Sequence, residues 1–343
     1  PNLVGIGNSQ VPTNAMLGGL AYQDPSNVNL ESFEPGHISK IKAVIKQQAS
    51  GPNSHVSSIF VYDTKRDSDG GAWRHRTQHT SWYNEPLGTL FRGNRKEFPE
   101  VAILVTTDSG FDSTYVKEVG FNIYDGDDPN CPLWMRFPIN NYPQGGNWGG
   151  GLPMIAKPNF ISVKLGPIHA LNGQIAIGNA DTSGGYLPGY LVNMISEKCI
   201  DVCRYGVGVN QFYWMSSNIA KRTEYNTWSN RGFPRGATRY GTGDDATSGK
   251  KSEITGRMGA APIRDIRMIV QSDAAIDPCT GLPQPTQFWA TAGGLGIIKG
   301  GSVPMTVDLE EISGYDVIAL SNFNSKNEIV TVNKNGNVIR TDF

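Results

Sequence analysis

Ile59-Phe60-Val61-Tyr62-Asp63, followed by Asp67-Ser68-Asp69-Gly70-Gly71 and then Ala72-Trp73-Arg74, is the stretch that decides the fold class. An apolar run of strand length ends in Asp and Gly, residues that accept tight-turn backbone, and an aromatic run follows. The same order returns in Phe121-Asn122-Ile123-Tyr124-Asp125, Gly126-Asp127-Asp128-Pro129-Asn130 and Leu133-Trp134-Met135-Arg136. The two units predict antiparallel strands joined by acidic turns. Trp73 and Trp134 are expected on strands, at equivalent buried positions in neighbouring blades, each blade a separate sheet.

Short apolar runs bounded by Gly, Pro, Asn and Asp continue outward from these units, at 101–105, 173–178, 191–195, 266–270, 287–291, 295–298, 316–320 and 328–332. A second internal likeness joins 289–299 to 318–334, and Asn335-Gly336 supplies a type I′ hairpin signal after it. No amphipathic helix longer than two turns is evident. The class is all-β. Repeating hairpins with an aromatic in each unit favour β-propeller-like repeats of antiparallel strands, with a two-sheet sandwich as the alternative.

Residues 1–36 read differently from the rest. Their small apolar side chains follow neither period, too few to form a core and too apolar for a solvated tail. An extended N-terminal arm over 1–36 and a β-propeller-like domain over 37–343 are therefore expected, the domain carrying long loops at 141–158 and 215–262. Within the arm, Val11, Met16, Leu17, Leu20 and Tyr22 are the candidate partner-binding residues. Pro12 and Gly18-Gly19 oppose a regular helix there.

Composition narrows the partners. Thirty Lys and Arg oppose 31 Asp and Glu, a formal net charge of −1, so neither nucleic acid nor an anionic membrane is the expected partner. No run approaches the roughly 18 apolar residues of a membrane span, and no charged-then-apolar leader opens the sequence. Gly is abundant, at 41 of 343 residues, which suits a turn-rich chain. Four cysteines make no disulfide framework. Cys199 and Cys203 would lie about 13 Å apart on one strand, so Cys131, Cys199, Cys203 and Cys279 are expected as buried thiols.

No catalytic motif emerges. His75 and His79 share a spacing with zinc proteases, but Arg76 stands where those carry Glu. Asp63, Asp67 and Asp69, and likewise Asp125, Asp127 and Asp128, resemble half of a calcium loop. The twelfth position counted from Asp63 is Arg74, not Glu, and acidic turns explain both clusters without a metal. No cofactor is expected. The loop over 215–262 interleaves Arg222, Arg231, Arg235 and Arg239 with Tyr225, Trp228, Phe233 and Tyr240, a pattern that can bind glycan or nucleic acid. A solvated or partner-contacting loop is the simpler reading.

The string 10–24, from Gln10-Val11-Pro12-Thr13 to Ala21-Tyr22-Gln23-Asp24, resembles the opening of virion structural proteins of marine tailed phages, cyanophages in particular. Residues 60–85, together with Arg95-Lys96-Glu97-Phe98-Pro99, are similar to the first blade of propeller-type structural proteins in those phages. Within this stretch Ser68-Asp69-Gly70-Gly71-Ala72-Trp73 also resembles the Asp-box turn of sialidase-type propellers, with its Trp two positions early. The likeness covers roughly 8–140 well and the remainder loosely. It implies a non-enzymatic virion protein on a tail or capsid surface, in several copies. The arm would bind other virion structural proteins, and the domain would meet a host surface glycan or protein. A capsid-decorating or neck protein without a receptor role, and a propeller glycosidase acting on host polysaccharide, are the rival readings.

Overall fold

The computed structural model describes residues 35–48, 55–108, 120–138, 165–179, 189–197, 199–205, 209–216, 219–223, 262–291, 294–298, 317–323, 328–333 and 338–342. Val11, Met16, Leu17, Leu20 and Tyr22, and the loop 141–158, lie outside the described residues.

The chain is all-β, built of antiparallel sheets with few helices. Four sheets follow one another along the sequence, each a meander of neighbouring strands. The first holds β1 (His55–Asp63), β2 (Val101–Asp108), β3 (Gly120–Asp125) and β4 (Leu133–Pro138). The second holds β5 (Leu165–Leu171), β6 (Gln174–Asn179), β7 (Gly189–Asn193), β8 (Cys199–Tyr205) and β9 (Val209–Ser216). The third is β10 (Ile263–Ile269), β11 (Thr286–Thr291) and β12 (Gly294–Ile298); the fourth is β13 (Val317–Phe323), β14 (Glu328–Asn333) and β15 (Val338–Asp342). The opening strands meet: β1 packs on β5, β5 on β10, and β10 on β13. Among the described residues no closed ring of sheets is detected.

The first sheet is buried on both faces, which is why Val101-Ala102-Ile103-Leu104-Val105 is apolar throughout instead of alternating. One face carries Phe60, Tyr62, Ala102, Leu104, Phe121, Ile123 and Phe137 into a core shared with Ile168, Ile175, Tyr190 and Val192 of the second sheet. The other face, with Ile59, Val61, Ile103, Val105 and Tyr124, is covered by α1 (Pro35–Gln48) through Ile41 and Val44. The third sheet packs on the second through Trp289, whose ring lies where a Cβ at Gly189 would be, 2.4 Å away.

Helix α1 corrects the expectation of no helix beyond two turns, and its start at Pro35 carries it across the expected 36/37 boundary. Pro suits a helix's first turn, where its missing N–H is not needed. Ile41 and Val44, three apart, share the face that meets the sheet, with Ala43 packed beside them.

The repeated units are also corrected. They lie in one sheet, β1 and β3 flanking β2, and not in neighbouring sheets. Tyr62 is opposite Ala102 and Tyr124 opposite Ile103, so this one-residue slip sends the two tyrosines to opposite faces. Trp73 sits in a short 3₁₀ helix, Ala72–Arg76, and not on a strand. Trp134 is on β4 at a bulge, where the register shifts between Ile123 and Tyr124 and turns its ring into the core. The second likeness does join hairpins of successive sheets, β11–β12 and β13–β14. Strands β14 and β15 pair as a hairpin on either side of Asn335-Gly336, which themselves lie outside the described residues.

Trp73 and Trp134 are both buried against Phe98, their ring centroids 5.1 and 4.9 Å from it. Truncating either to Ala is expected to destabilise by about 3–5 kcal/mol in denaturant titration. Because Phe98 is shared, the double variant should depart from additivity by at least ~0.5 kcal/mol, whereas residues of separate units would add.

Candidate functional site

The acidic turns hold protein donors. Asp63 caps the 3₁₀ turn Thr64–Arg66 by accepting from Lys65 N–H at 3.0 Å. Asp69 accepts from Gly71 N–H and from Arg76. Asp125 and Asp127 share Arg95, and Asp127 also takes the N–H groups of Glu100 and Val101 at 2.8 and 2.9 Å. Burial pushes the Asp127 carboxyl up, but those two N–H groups and the Arg95 guanidinium outweigh it and hold it below the usual range. Asp128 accepts from Asn130 N–H. Among the described residues no three His, Cys, Asp or Glu side chains converge to hold a metal ion.

Asp67 differs from its neighbours because it is buried. Its Oδ2 accepts from Tyr62 Oη at 2.6 Å and from Trp73 Nε1 at 2.7 Å, and its Oδ1 accepts from Asn172 N–H at 2.7 Å. Asn172 and Gly173 form the two-residue turn between β5 and β6, with φ of 53° and 72°, the left-handed pair that a type I′ turn requires. Gly173 N–H donates back to Tyr62 Oη at 2.8 Å. The Asn172 amide donates to Ser68 Oγ and to Pro283 O, and accepts from Ser68 N–H. One asparagine thus joins the turn of the first sheet, the hairpin of the second and the loop before β11. Gly173, expected within the apolar run 173–178, falls instead in this turn; the Asn-Gly dipeptide is the signal that could have placed it, but nothing local indicated its partners.

A second knot is built on arginine. Arg222, expected in a solvated or partner-contacting loop, is instead fully buried in the 3₁₀ turn Ile219–Thr223. It grips Glu85 with both terminal nitrogens, at 2.6 and 2.9 Å, and donates to the carbonyls of Arg136, Ile219 and Phe91. These bonds occupy all five donors of the guanidinium, as burial of a fixed charge demands. Arg92 lies 4.2 Å over the Trp134 ring and donates to the carbonyls of Trp134 and Lys96; burial pulls it down to about 10. Glu197, with φ of 57°, accepts from Ser81 N–H, Ser81 Oγ and Ile219 N–H, tying the same turn to the 77–85 segment. The remaining loop residues Tyr225, Trp228, Arg231, Phe233, Arg235, Arg239 and Tyr240 lie outside the described residues.

His75 and His79 are exposed, on and just beyond a 3₁₀ turn instead of a strand, and His75 faces Glu97 at 3.6 Å. His169 stacks on Phe60 at 4.8 Å, and burial, helped by Arg267, holds its imidazole well below the ordinary value and so neutral. Cys131 is buried, its thiol pushed up to about 11 by burial. Cys279 is exposed on a turn, against expectation, since the polar Asp277–Gly281 turn faces outward. Cys199 and Cys203 both fall on β8. Chemically, these groups lock loops together; the described carboxylates accept bonds from fixed donors. The chain matches no known family model, and no curated protein matches it.

Arg222→Ala is expected to cost about 3–5 kcal/mol, because five bonds of a fully buried guanidinium are lost and the largely covered Glu85 is left without its partner. A Glu85→Ala, Arg222→Ala pair should cost clearly less than the sum of the single changes in a denaturant-titration cycle.

Proposed function

We propose that this protein is a virion structural protein of a tailed phage, a tail fibre or tail-associated component. In this reading a propeller-like β-domain is displayed on the particle and residues 1–36 join it to other virion proteins. The observation that carries the reading is the pairing of two unlike parts. An aperiodic apolar segment with Val11, Met16, Leu17, Leu20 and Tyr22 precedes sheets whose buried charges serve to lock loops together. Meander sheets in chain order, with their opening strands packed together, suit blade-like repetition. Each large arm residue laid in a groove would contribute about 1.5–3 kcal/mol by burial. Ordering the segment costs ~1–2 kcal/mol per residue of backbone, so strand addition to a neighbour's sheet edge, or several copies, would be needed to hold it.

The domain is read as non-enzymatic, with a host surface glycan or protein as its outer partner. A capsid-decorating or neck location without receptor contact is the second reading, and labelled-antibody microscopy of particles separates it from a tail location. Incubation with host polysaccharide is expected to release no new reducing ends. Release that disappears on changing Asp63, Asp69, Asp125 or Asp127 to Asn would establish a glycosidase instead.

Deleting residues 1–30 is expected to leave a folded β-domain, with unchanged β-type dichroism, that no longer copurifies with assembled particles. Copurification of the truncated chain would refute arm-based attachment.

A further inference from the structure

We propose that Asn172 is a deamidation site gated by the seam between the first two sheets. Its conversion to aspartate or isoaspartate marks an opening of the seam and then keeps it from closing. The chemistry is that of an asparagine followed by glycine. The Gly173 nitrogen loses its proton and attacks Asn172 Cγ; the Cγ–Nδ2 bond breaks, and Nδ2 takes up a proton and leaves as ammonia, closing a cyclic imide. Water then opens the imide at one carbonyl or the other, leaving aspartate or isoaspartate. Glycine allows the approach because no side chain stands in the way.

The closed seam withholds every requirement of that reaction. The attacking nitrogen is engaged, since Gly173 N–H donates to Tyr62 Oη at 2.8 Å. The Asn172 amide is held at both ends: Oδ1 accepts from Ser68 N–H at 2.8 Å, and Nδ2 donates to Ser68 Oγ at 2.9 Å and to Pro283 O at 2.8 Å. Swinging Cγ onto the Gly173 nitrogen breaks all three bonds. Water is shut out as well, because Asn172 is buried and Gly173 is packed so closely that a Cβ there would lie 2.8 Å from Ile195 Cδ1. The partners come from the turn after β1 and from the β10–β11 loop, so the amide is released only when those segments leave the β5–β6 hairpin.

The product does not fit back. In aspartate an oxygen replaces Nδ2. The Ser68 hydroxyl can turn to donate to it, but the Pro283 carbonyl has no proton to give, and two acceptors face one another. A new anion is also buried beside the Asp67 carboxylate, which accepts from the N–H of the same residue. In isoaspartate the backbone runs through the former side chain and is one carbon longer. The two-residue turn that pairs Leu171 with Gln174 is then lost. Either product unties the first sheet, the second sheet and the β10–β11 loop at one residue.

The test incubates the full chain at mildly alkaline pH, folded and in urea, and follows the peptide containing Asn172 by mass. Asn335-Gly336 is the same dipeptide and serves as the reference in urea, where both asparagines should convert at similar rates. In the folded chain Asn172 should convert roughly tenfold more slowly than in urea, or slower still, because only molecules with the seam open react. Equal rates for Asn172 in the two conditions would overturn the gate. The second half is tested with Asn172→Asp, which installs one product. Exchange of the Gly173 amide should be roughly tenfold faster than in the parent, with the amides of Ile103 and Leu104 unchanged. Unchanged exchange at Gly173 would refute the one-way step. If that variant does not fold, parent chains converted in urea and returned to buffer decide: protease should cut them within 270–285 faster than unconverted chains treated alike, and equal cutting refutes the proposal.

Discussion

A buried carboxylate held by three neutral donors is the constraint around which the first two sheets are arranged. Asp67 can be held there only if fixed donors surround it, and the donors come from three places: β1, the 3₁₀ helix after it, and the hairpin of the second sheet. Each donor is rigid for its own reason. Tyr62 is anchored in a strand, Trp73 by packing on Phe98, and Asn172 by a left-handed turn that glycine completes. The carboxylate thereby converts three local conformations into one tertiary arrangement. Asn172 extends it to the third sheet's loop through Pro283, using both its amide hydrogens and its oxygen.

The opposite end of the shared core is organised by positive charge. Arg92 and Arg222 are buried among Trp82, Trp134 and Phe137, where an aromatic face, carbonyl oxygens and a single carboxylate, Glu85, replace water. Guanidinium suits this better than ammonium because its planar fork reaches several carbonyls at once and stacks on rings. The consequence is that loops between 77 and 98, which have no strand of any length, are tied down by side-chain bonds to Glu85, Phe91 O and Lys96 O. The isolated bridge Arg92–Met135, with the backbone bonds Gly93 N–H to Trp134 O and Arg136 N–H to Phe91 O, also covers the edge of β4, limiting pairing with another chain there.

These two knots bear on function through rigidity. In the proposed reading a domain displayed on a particle keeps its loops in place without a bound ligand, and internal polar bonding between sheets would do this more specifically than apolar packing alone. The buried tryptophans packed on this face of the first sheet, Trp73, Trp82 and Trp134, donate to Asp67, Met194 O and Glu97 O and are core, not a ligand platform.

The sequence by itself determined the all-β class and most strand positions. Runs such as Ile59–Asp63, 101–105 and 287–291 are apolar, strand-length and closed by turn residues, and that information is local. It also placed the acidic turns, because Asp bonds its own neighbouring backbone wherever it folds. Other features were illegible. Helix α1 turns Ile41 and Val44, with Ala43 beside them, toward the sheet, a stripe hard to recognise without the face it covers. The Tyr-Asp-turn-Trp likeness was real as a string, yet a one-residue slip in register and a bulge at Trp134 reversed which residues share a face. Arg222 looked like a loop cation because its carboxylate, Glu85, is 137 positions away. Asp67 looked like Asp63 and Asp69, and only the arrival of the second sheet's hairpin, 105 positions on, made it a buried acceptor. Tertiary structure decided these cases because solvation, partner and register are properties of what packs against a residue, and those neighbours are distant in the chain.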